Sequence, residues 1–263
     1  MNAPMIAALS DRLVAAEMTR TPIELPSVEY PGLTVEDGYQ VQRAIVAKKV
    51  AGGARVIGKK VAFTSRANQE IFGVREPAYG QLLDRGVHQE HAPVEVATLI
   101  DPLIDCEITF VMRRHLVGPG VTVRDVVRAT EAVVPSLEIA DSRMRDWIGR
   151  ATVADIIADS CGNAGIILGG GLRSLRRFDL RCTGVVVEKN GTIIATAATA
   201  AVMGNPAQSV AWLANKLAEA ELALEEGELV LAGALVGSVR MVAGDTLTAV
   251  FGGGLGPVGV KFI

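Results

Sequence analysis

The chain has 263 residues, enough for one large domain or two small ones with a sizeable core; 49% of them are hydrophobic and only 4% aromatic. A net charge of -3 and a pI near 5.7, with no basic run longer than Arg113-Arg114 or Arg176-Arg177, exclude a nucleic-acid surface of the usual cationic kind. A small anionic substrate remains compatible, because a local site can oppose the global sign.

Cys106, Cys161 and Cys182 make an odd number without paired spacing, which predicts reduced thiols and a cytoplasmic setting. Asp11 and Arg12 interrupt the first apolar residues before a secretory leader can develop, and no apolar run approaches the roughly 20 residues of a membrane-spanning helix.

A first helix is expected over residues 5–20, followed by a connector punctuated by Pro22, Pro26 and Pro31 that cannot be helical throughout. Thr34 opens a better helix. Asp37 completes a capping box, Val41, Ile45 and Val46 form a buried stripe, Arg43, Lys48 and Lys49 lie on the exposed face, and Gly52-Gly53 stops it. Residues 56–64 read as a strand with Lys60, Ala62 and Thr64 on one face and Lys59, Val61 and Phe63 on the other, so one of two adjacent lysines points inward. A short helix over 67–72, a loop containing Pro77 and an extended piece over 80–83 follow.

Residues 104–112 carry the most informative pattern. As a strand they place Asp105, Glu107, Thr109 and Val111 on one face and Ile104, Cys106, Ile108 and Phe110 on the other. Two carboxylates that close, in so apolar a segment, raise each other's pKa and cost free energy unless a cation or a proton lies between them. Oxygen ligands suit magnesium, manganese or calcium better than zinc. Spacing alone leaves a second reading open, an edge strand with its acidic face in water.

Gly118-Pro119-Gly120 is a turn; Thr122 with Asp125 caps a helix predicted to reach about residue 133, with Pro135 ending it. Residues 136–140 are a predicted strand in which Glu138 faces away from Leu137 and Ile139. This third carboxylate in apolar surroundings weakens the solvated-edge reading. Residues 185–195 contain Asn190-Gly191 between β-branched runs, a hairpin with a type I′ turn. Asn205-Pro206 starts a helix whose core stripe is Val210, Leu213, Ala214 and Leu217. Strands are expected over 229–231, 246–251 and 258–263.

Gly254, Gly256 and Gly259 spell a dinucleotide-binding pattern, but the four residues that follow cannot form the helix it requires. His88 and His91 sit in a polar loop and read as solvated, as do Arg113 and Arg114. The organisation predicted is one cooperative unit, with a helical section over 1–55 and a β-rich metal-binding body over 56–263.

With the lysine strand and the three carboxylates placed, the sequence resembles the 2-keto-4-pentenoate hydratase and 4-oxalocrotonate decarboxylase family, relatives of fumarylacetoacetate hydrolase, from about Tyr30 to Ile263. The resemblance is carried by Ile57-Gly58-Lys59-Lys60 with Thr64-Ser65, the acidic strand, Leu137-Glu138-Ile139-Ala140-Asp141-Ser142-Arg143, Val187-Glu188-Lys189-Asn190-Gly191 and Val210-Ala211-Trp212-Leu213-Ala214-Asn215. It implies an α+β fold, a mixed β-roll of the fumarylacetoacetate hydrolase C-terminal type with a helical N-terminal section. It further implies a Mg2+ (or Mn2+) site and a 2-hydroxy-2,4-dienoate substrate, or its 2-oxo tautomer, from aromatic catabolism.

Residue by residue, the family's metal ligands carry over to Asp105, Glu107 and Glu138, with Asp105 one methylene shorter than the usual Glu. The active-site lysine carries over to Lys60, and Ser65, Tyr79 and Asn163 to substrate-binding positions. A homo-oligomer is implied, associated with a paralogous decarboxylase or hydratase. Three departures stand out: Ala78 where hydratases of the family usually carry an acid, the altered stretch from Ala158 to Asn163, and Ala234 in place of a pocket serine. Decarboxylase relatives also tend to lack the acid at position 78, whereas Arg143-Met144-Arg145-Asp146-Trp147 and Ile57-Gly58-Lys59-Lys60 are more hydratase-like. The expected activity is hydration of a dienoate; decarboxylation of 2-oxo-3-hexenedioate is the alternative, and a non-catalytic partner subunit the second.

Overall fold

The strand carrying Asp105 and Glu107 runs through the interior of a sheet rather than along its rim. In the computed structural model, which describes residues 1–175 and 179–263, that strand has neighbours on both sides, and its Ile104, Cys106, Ile108 and Phe110 are at most 1% exposed. The alternative of a solvated edge is therefore excluded. The Arg176-Arg177 pair lies outside the described residues.

The N-terminal section is helical. Helix α1 (Ala3–Thr19) is capped by Asn2, α2 (Pro26–Glu29) is a single turn inside the proline-rich connector, and α3 (Val35–Ala51) begins with the expected Thr34–Asp37 capping box. Leu9 and Leu13 of α1 meet the Val41 and Ile45 face of α3 in the main apolar cluster. Strand β1 (Val56–Ala62) leads to α4 (Arg66–Ile71), β2 (Ala78–Leu83) and two short strands, β3 (Val87–His88) and β4 (Pro93–Val94).

Both lysines of β1 turn out to be buried: Lys59 binds the Glu228 carboxylate on one face and Lys60 reaches Glu138 on the other. The expectation of one inward lysine fails because protein covers both faces of this sheet.

The acidic strand is β5 (Leu103–Met112), followed by α5 (Val123–Ala129) and β6 (Thr130–Ala140). The helix stops at Ala129, four residues before the expected end, and the strand takes over through Pro135. A central proline is tolerated because the Pro135 carbonyl accepts from Gly169 N–H (2.9 Å), just beyond the last residue of the neighbouring β7 (Asn163–Leu168). The missing N–H lies on that same side and so breaks no rung with β5. Before β7 comes α6 (Val153–Ala158), opened by a Thr152–Asp155 capping box.

The Asn190-Gly191 turn joins β8 (Gly184–Lys189) to β9 (Thr192–Ala198), and both turn residues have positive φ, 52° and 76°, as a type I′ turn requires. Helix α7 (Pro206–Ala218) starts at the Asn205 cap and buries Val210, Leu213, Ala214 and Leu217 completely. Strands β10 (Leu229–Leu231), β11 (Val239–Arg240), β12 (Thr246–Phe251) and β13 (Gly256–Phe262) complete the chain. The glycines at 254, 256 and 259 fall in the β12–β13 hairpin, which offers no helix N-terminus.

One sheet has the order β2-β1-β10-β5-β6-β7-β3, with β11 also on β5; the second has the order β4-β13-β12-β8-β9. Parallel pairing of β1 with β10 brings Lys60 opposite Leu231, and antiparallel pairing of β10 with β5 carries that rung to Thr109.

The β1–β10 approach depends on Gly58, because a Cβ there would lie 1.9 Å from the Leu229 carbonyl oxygen, and backbone cannot move aside cheaply. Gly58→Ala is expected to lower stability by about 3 kcal/mol or more, read from the midpoint of urea unfolding; an unchanged midpoint would refute the close approach.

In the second sheet, Asp245 accepts from Lys189 Nζ (2.8 Å), Asn190 Nδ2 (2.7 Å) and Val242 N–H (3.0 Å), tying the hairpin turn to β12. Lys189 first, and then these neutral donors, hold its carboxyl down at about 2 against an ordinary 3.8. A depressed carboxyl contributes stability that is complete above its unfolded pKa and is lost as pH falls towards its folded pKa. Asp245→Asn should therefore flatten the fall in stability between pH 3.8 and about 2, measured by thermal unfolding across that range.

Candidate active site

Register brings the three carboxylates together. In the β5–β6 ladder Asp105 lies directly opposite Glu138, and Glu107, two residues along β5, projects from the same face. Opposed residues of an antiparallel pair have Cβ atoms roughly 5 Å apart, so two like charges face each other across one rung. Lys60 comes from two strands away on the same side. These four side chains line one cleft of about 800 Å³, open solvent included.

Lys60 Nζ lies 2.6 Å from Glu138 Oε1 and donates to the Cys161 carbonyl at 3.0 Å. Asn163 Nδ2 donates to the same Oε1 at 2.9 Å. Glu107 Oε2 accepts from the Gly233 N–H at 2.7 Å. That donor is available because position 233 has no side chain: at φ +124° its Cβ would fall 2.2 Å from Thr64 Oγ1. Glu107 and Glu138 are buried, whereas Asp105 keeps partial exposure.

One ammonium cannot neutralise three carboxylates. Burial first, and then the charge of Glu138, push Glu107 well above the usual carboxylate range. Burial likewise raises Asp105, and it raises Glu138 in spite of Lys60. For Lys60 burial acts against the charge, but Glu138 above all, with Asp105 and Glu107 adding, keeps its pKa above the ordinary value and the amine protonated. The site thus holds a surplus of acid that only protons or a further cation can balance.

Among the described residues no group of three or more His, Cys, Asp or Glu side chains is arranged to hold a metal ion as it stands. Glu107 and Glu138 each turn one oxygen onto a protein donor. The donor chemistry nevertheless fits a hard cation: Asp105 Oδ1 and Glu138 Oε2 are buried without any hydrogen-bond partner. Orphaned carboxylate oxygens are costly in a protein interior, and a divalent ion would satisfy both at once.

No family model matches the chain. It is 38% identical over 259 residues to the 2-oxo-hept-4-ene-1,7-dioate hydratase of Escherichia coli, covering 97% of each chain. The solved 4-oxalocrotonate decarboxylase from Pseudomonas putida G7, complexed with magnesium and adipate, superposes with a TM-score of 0.97 at 35% identity, covering 100% of this chain and 99% of that one. The chain belongs to the 2-keto-4-pentenoate hydratase and 4-oxalocrotonate decarboxylase family. The fumarylpyruvate hydrolase of Pseudomonas aeruginosa, at 13% identity and a TM-score of 0.60 over 78% of this chain and 88% of that one, shares the fold alone. The α+β architecture is accordingly of the fumarylacetoacetate hydrolase type.

In this family member Ser65 and Tyr79 lie away from the carboxylate cluster, whereas Asn163 contacts it. Ser65 is the N-cap of α4, its Oγ accepting from Asn68 N–H, and does not line the cleft. Tyr79 shares the face of Val61, away from Lys60, and stacks on Tyr39 with ring centroids 4.6 Å apart. Asn163 contacts Glu138 without forming cleft wall.

Sequence reasoning missed the support behind the site. The buried Arg143 binds the Asp159 carboxylate through Nε and its own backbone N–H, and donates to the carbonyls of Asp141, Asn163 and Asp159. It therefore ties the end of β6 to the start of β7, where Asn163 meets Glu138. The Asp-Ser-Arg stretch was the available signal; nothing in it names Asp159 as partner. Arg143→Met leaves Asp159 charged and without its counter-ion in the interior, held only by Ser142 Oγ and a backbone N–H, so a loss of about 3–5 kcal/mol is expected in urea unfolding. Adding Asp159→Leu should recover part of that loss, and a single variant as stable as the parent would refute the pairing.

Proposed function

We propose that the chain is a divalent-metal-dependent lyase of aromatic catabolism that hydrates a 2-hydroxy-2,4-dienoate to a 4-hydroxy-2-oxo acid. The observation that carries this reading is the convergence of Asp105, Glu107, Glu138 and Lys60 on one cleft, with two carboxylate oxygens lacking partners. A hard ion such as Mg2+ or Mn2+ held by the three carboxylates would polarise the substrate's C2 oxygen and stabilise enolate charge.

The chain's own groups supply the rest. The protonated Lys60 amine can donate to the C1 carboxylate or C2 oxygen of a bound substrate and relay a proton there. The dienol gains a proton at C5 and loses one from the C2 hydroxyl; water then adds its oxygen at C4 and a proton at C3, for a net gain of one water. Asn163 and the Cys161 carbonyl keep Glu138 and Lys60 oriented while this happens.

A second reading, decarboxylation of 2-oxo-3-hexenedioate, is favoured by one feature. Ala78 pairs with Ala62 across β1–β2, which points its side chain to the Lys60 face. A methyl group stands there, where hydratases of the family usually carry an acid.

The same reading takes the chain as one catalytic unit, since a single cluster of buried apolar residues includes Leu9 near the start and Phe262 near the end. Homo-oligomerisation is supported by edge strand β9, which exposes Ile193 and Ile194 and carries no charged residue. Association with a paralogous hydratase or decarboxylase would use such a surface as well. A cytoplasmic setting suits the exposed free thiol of Cys182.

Assays with 2-hydroxypenta-2,4-dienoate and 2-oxo-3-hexenedioate, with and without EDTA, separate the readings: hydration that EDTA abolishes is expected, and carbon dioxide release without hydration would replace the first by the second. Glu107→Gln and Glu138→Gln should each lower metal-dependent turnover by about 100-fold or more while circular dichroism stays unchanged. Parental metal affinity in both variants would refute the ligand assignment.

A further inference from the structure

The strands that gather the carboxylates also define a direction along the cleft. β1 runs parallel to β10, β10 antiparallel to β5, and β5 antiparallel to β6, so β1 and β6 point the same way. Moving from Lys60 to Thr64, from Glu138 to Ala140 and from Glu107 back to Leu103 is therefore one displacement along the sheet. Over that distance the wall changes from charged to apolar. Beyond Ala62, Leu103 and Ala140 come Phe63 and Phe72, with ring centroids 5.0 Å apart, and Met144 and Trp147 from the chain that leaves β6. Ile156 of α6 adds to the same wall.

Charge at that end is of the wrong sign for an anion. Among the described residues lining the cleft, Lys60 is the one cationic side chain, and it is already committed to Glu138. Asp141 and Asp159 also line the cleft: the first accepts the N–H groups of Ile100 and Asp101, and the second is held by Arg143 and Ser142. The other hydroxyl and amide side chains lining the cleft, Thr64, Asn68, Ser142 and Ser238, are neutral.

Resting on the function proposed above, we infer that the substrate's far end, C5 and beyond, is an uncharged apolar group such as hydrogen or a short alkyl chain, and not a second carboxylate. A carboxylate placed among Phe72, Met144 and Trp147 would lose its water, meet no cation among the residues lining the cleft and share it with Asp141; the arginines beyond Met144 and Trp147 line the neighbouring pocket, where Arg150 is paired with Glu24 and Arg240 with Asp101. An alkyl tail gains from the same burial. Phe72, Met144 and Trp147 are thereby specificity-determining residues for the length and polarity of that tail.

The test uses saturated 2-oxo acids, which share the chelating head, lack the C3–C4 double bond and do not turn over. Calorimetric titration of the Mg2+-loaded full chain compares 2-oxohexanoate with 2-oxohexanedioate, a pair that differs only in a terminal methyl against a carboxylate. The monoacid is expected to bind about 30-fold tighter or more. Equal or tighter binding of the diacid overturns the inference and leaves the metal-site reading standing. Binding of both acids that is indifferent to Mg2+ overturns that reading and the inference with it. Phe72→Arg, which adds the missing cation, should narrow the preference by about tenfold; an unchanged ratio overturns the placement of the tail against Phe72.

Discussion

Asp105 and Glu138 stand opposite one another across a single rung of β5 and β6, with Glu107 two residues away, and the architecture around them is arranged to tolerate that concentration of acid. On a surface, opposed like charges cost a fraction of a kcal/mol; in an interior each carboxylate without compensation costs several. Compensation here arrives from separate pieces of chain: Lys60 from β1, Asn163 from the start of β7, and the Gly233 N–H from the loop after β10. No local segment can form the site, which exists only once β10 has been inserted between β1 and β5. Even then compensation is incomplete, since Asp105 Oδ1 and Glu138 Oε2 remain unpartnered. A fold selected for stability alone would fill these positions with apolar side chains, as the opposite face of β5 does with Ile104, Cys106, Ile108 and Phe110.

Rigidity around the acid cluster comes from Arg143 and from the turn that follows α6. Ser160 and Cys161 both have positive φ, 52° and 53°, which side-chain-bearing residues adopt at a cost of about 1 kcal/mol or more. The turn delivers the Cys161 carbonyl to Lys60 and starts β7 at Asn163, while Arg143 fixes the Asp159 and Asn163 carbonyls on either side of it. Local strain and a buried ion pair are thus coupled to the orientation of the two groups that hold Glu138.

The parts of the fold legible in the sequence are those specified locally. The alternation of 104–112, the Thr34–Asp37 box, the Asn190-Gly191 turn and the Asn205-Pro206 start each encode a backbone conformation within a few residues. Helix α6 has the same Thr-x-x-Asp signal and was equally readable at Thr152–Asp155, although its six residues carry little periodicity. The passage of β6 through Pro135 was not readable, because whether a missing N–H matters depends on where the neighbouring strand ends. Burial of both Lys59 and Lys60 depends on how many layers cover a sheet, which alternation does not encode.

The site divides in the same way. Carboxylates and lysine were visible as charges in apolar context; Tyr79 could be assigned to the Val61 face only once the β1–β2 register was known, and Ser65 before a short helix serves equally well as a cap. The aromatic wall of Phe63, Phe72 and Trp147 had no sequence signature, because its members come from distant segments that meet only in the fold.

That wall bears on how one scaffold can serve both chemistries found in the family. Addition of water and loss of carbon dioxide both draw electrons toward the C2 oxygen, so the acidic cluster and Lys60 suit either, and the difference must lie at the far end of the conjugated chain. There this protein presents apolar surface beyond Ala62 and Ala140. Apolar surroundings act on a departing carboxylate in two opposed ways, weakening the binding of the dianion while favouring the neutral gas it becomes. For a dienoate with an alkyl or hydrogen tail no such opposition arises, since burial favours both the bound substrate and the ketonised intermediate. The carboxylate end of the cleft therefore sets the class of reaction, and the end walled by Phe72, Met144 and Trp147 decides which member of that class proceeds with binding and turnover pulling in the same direction.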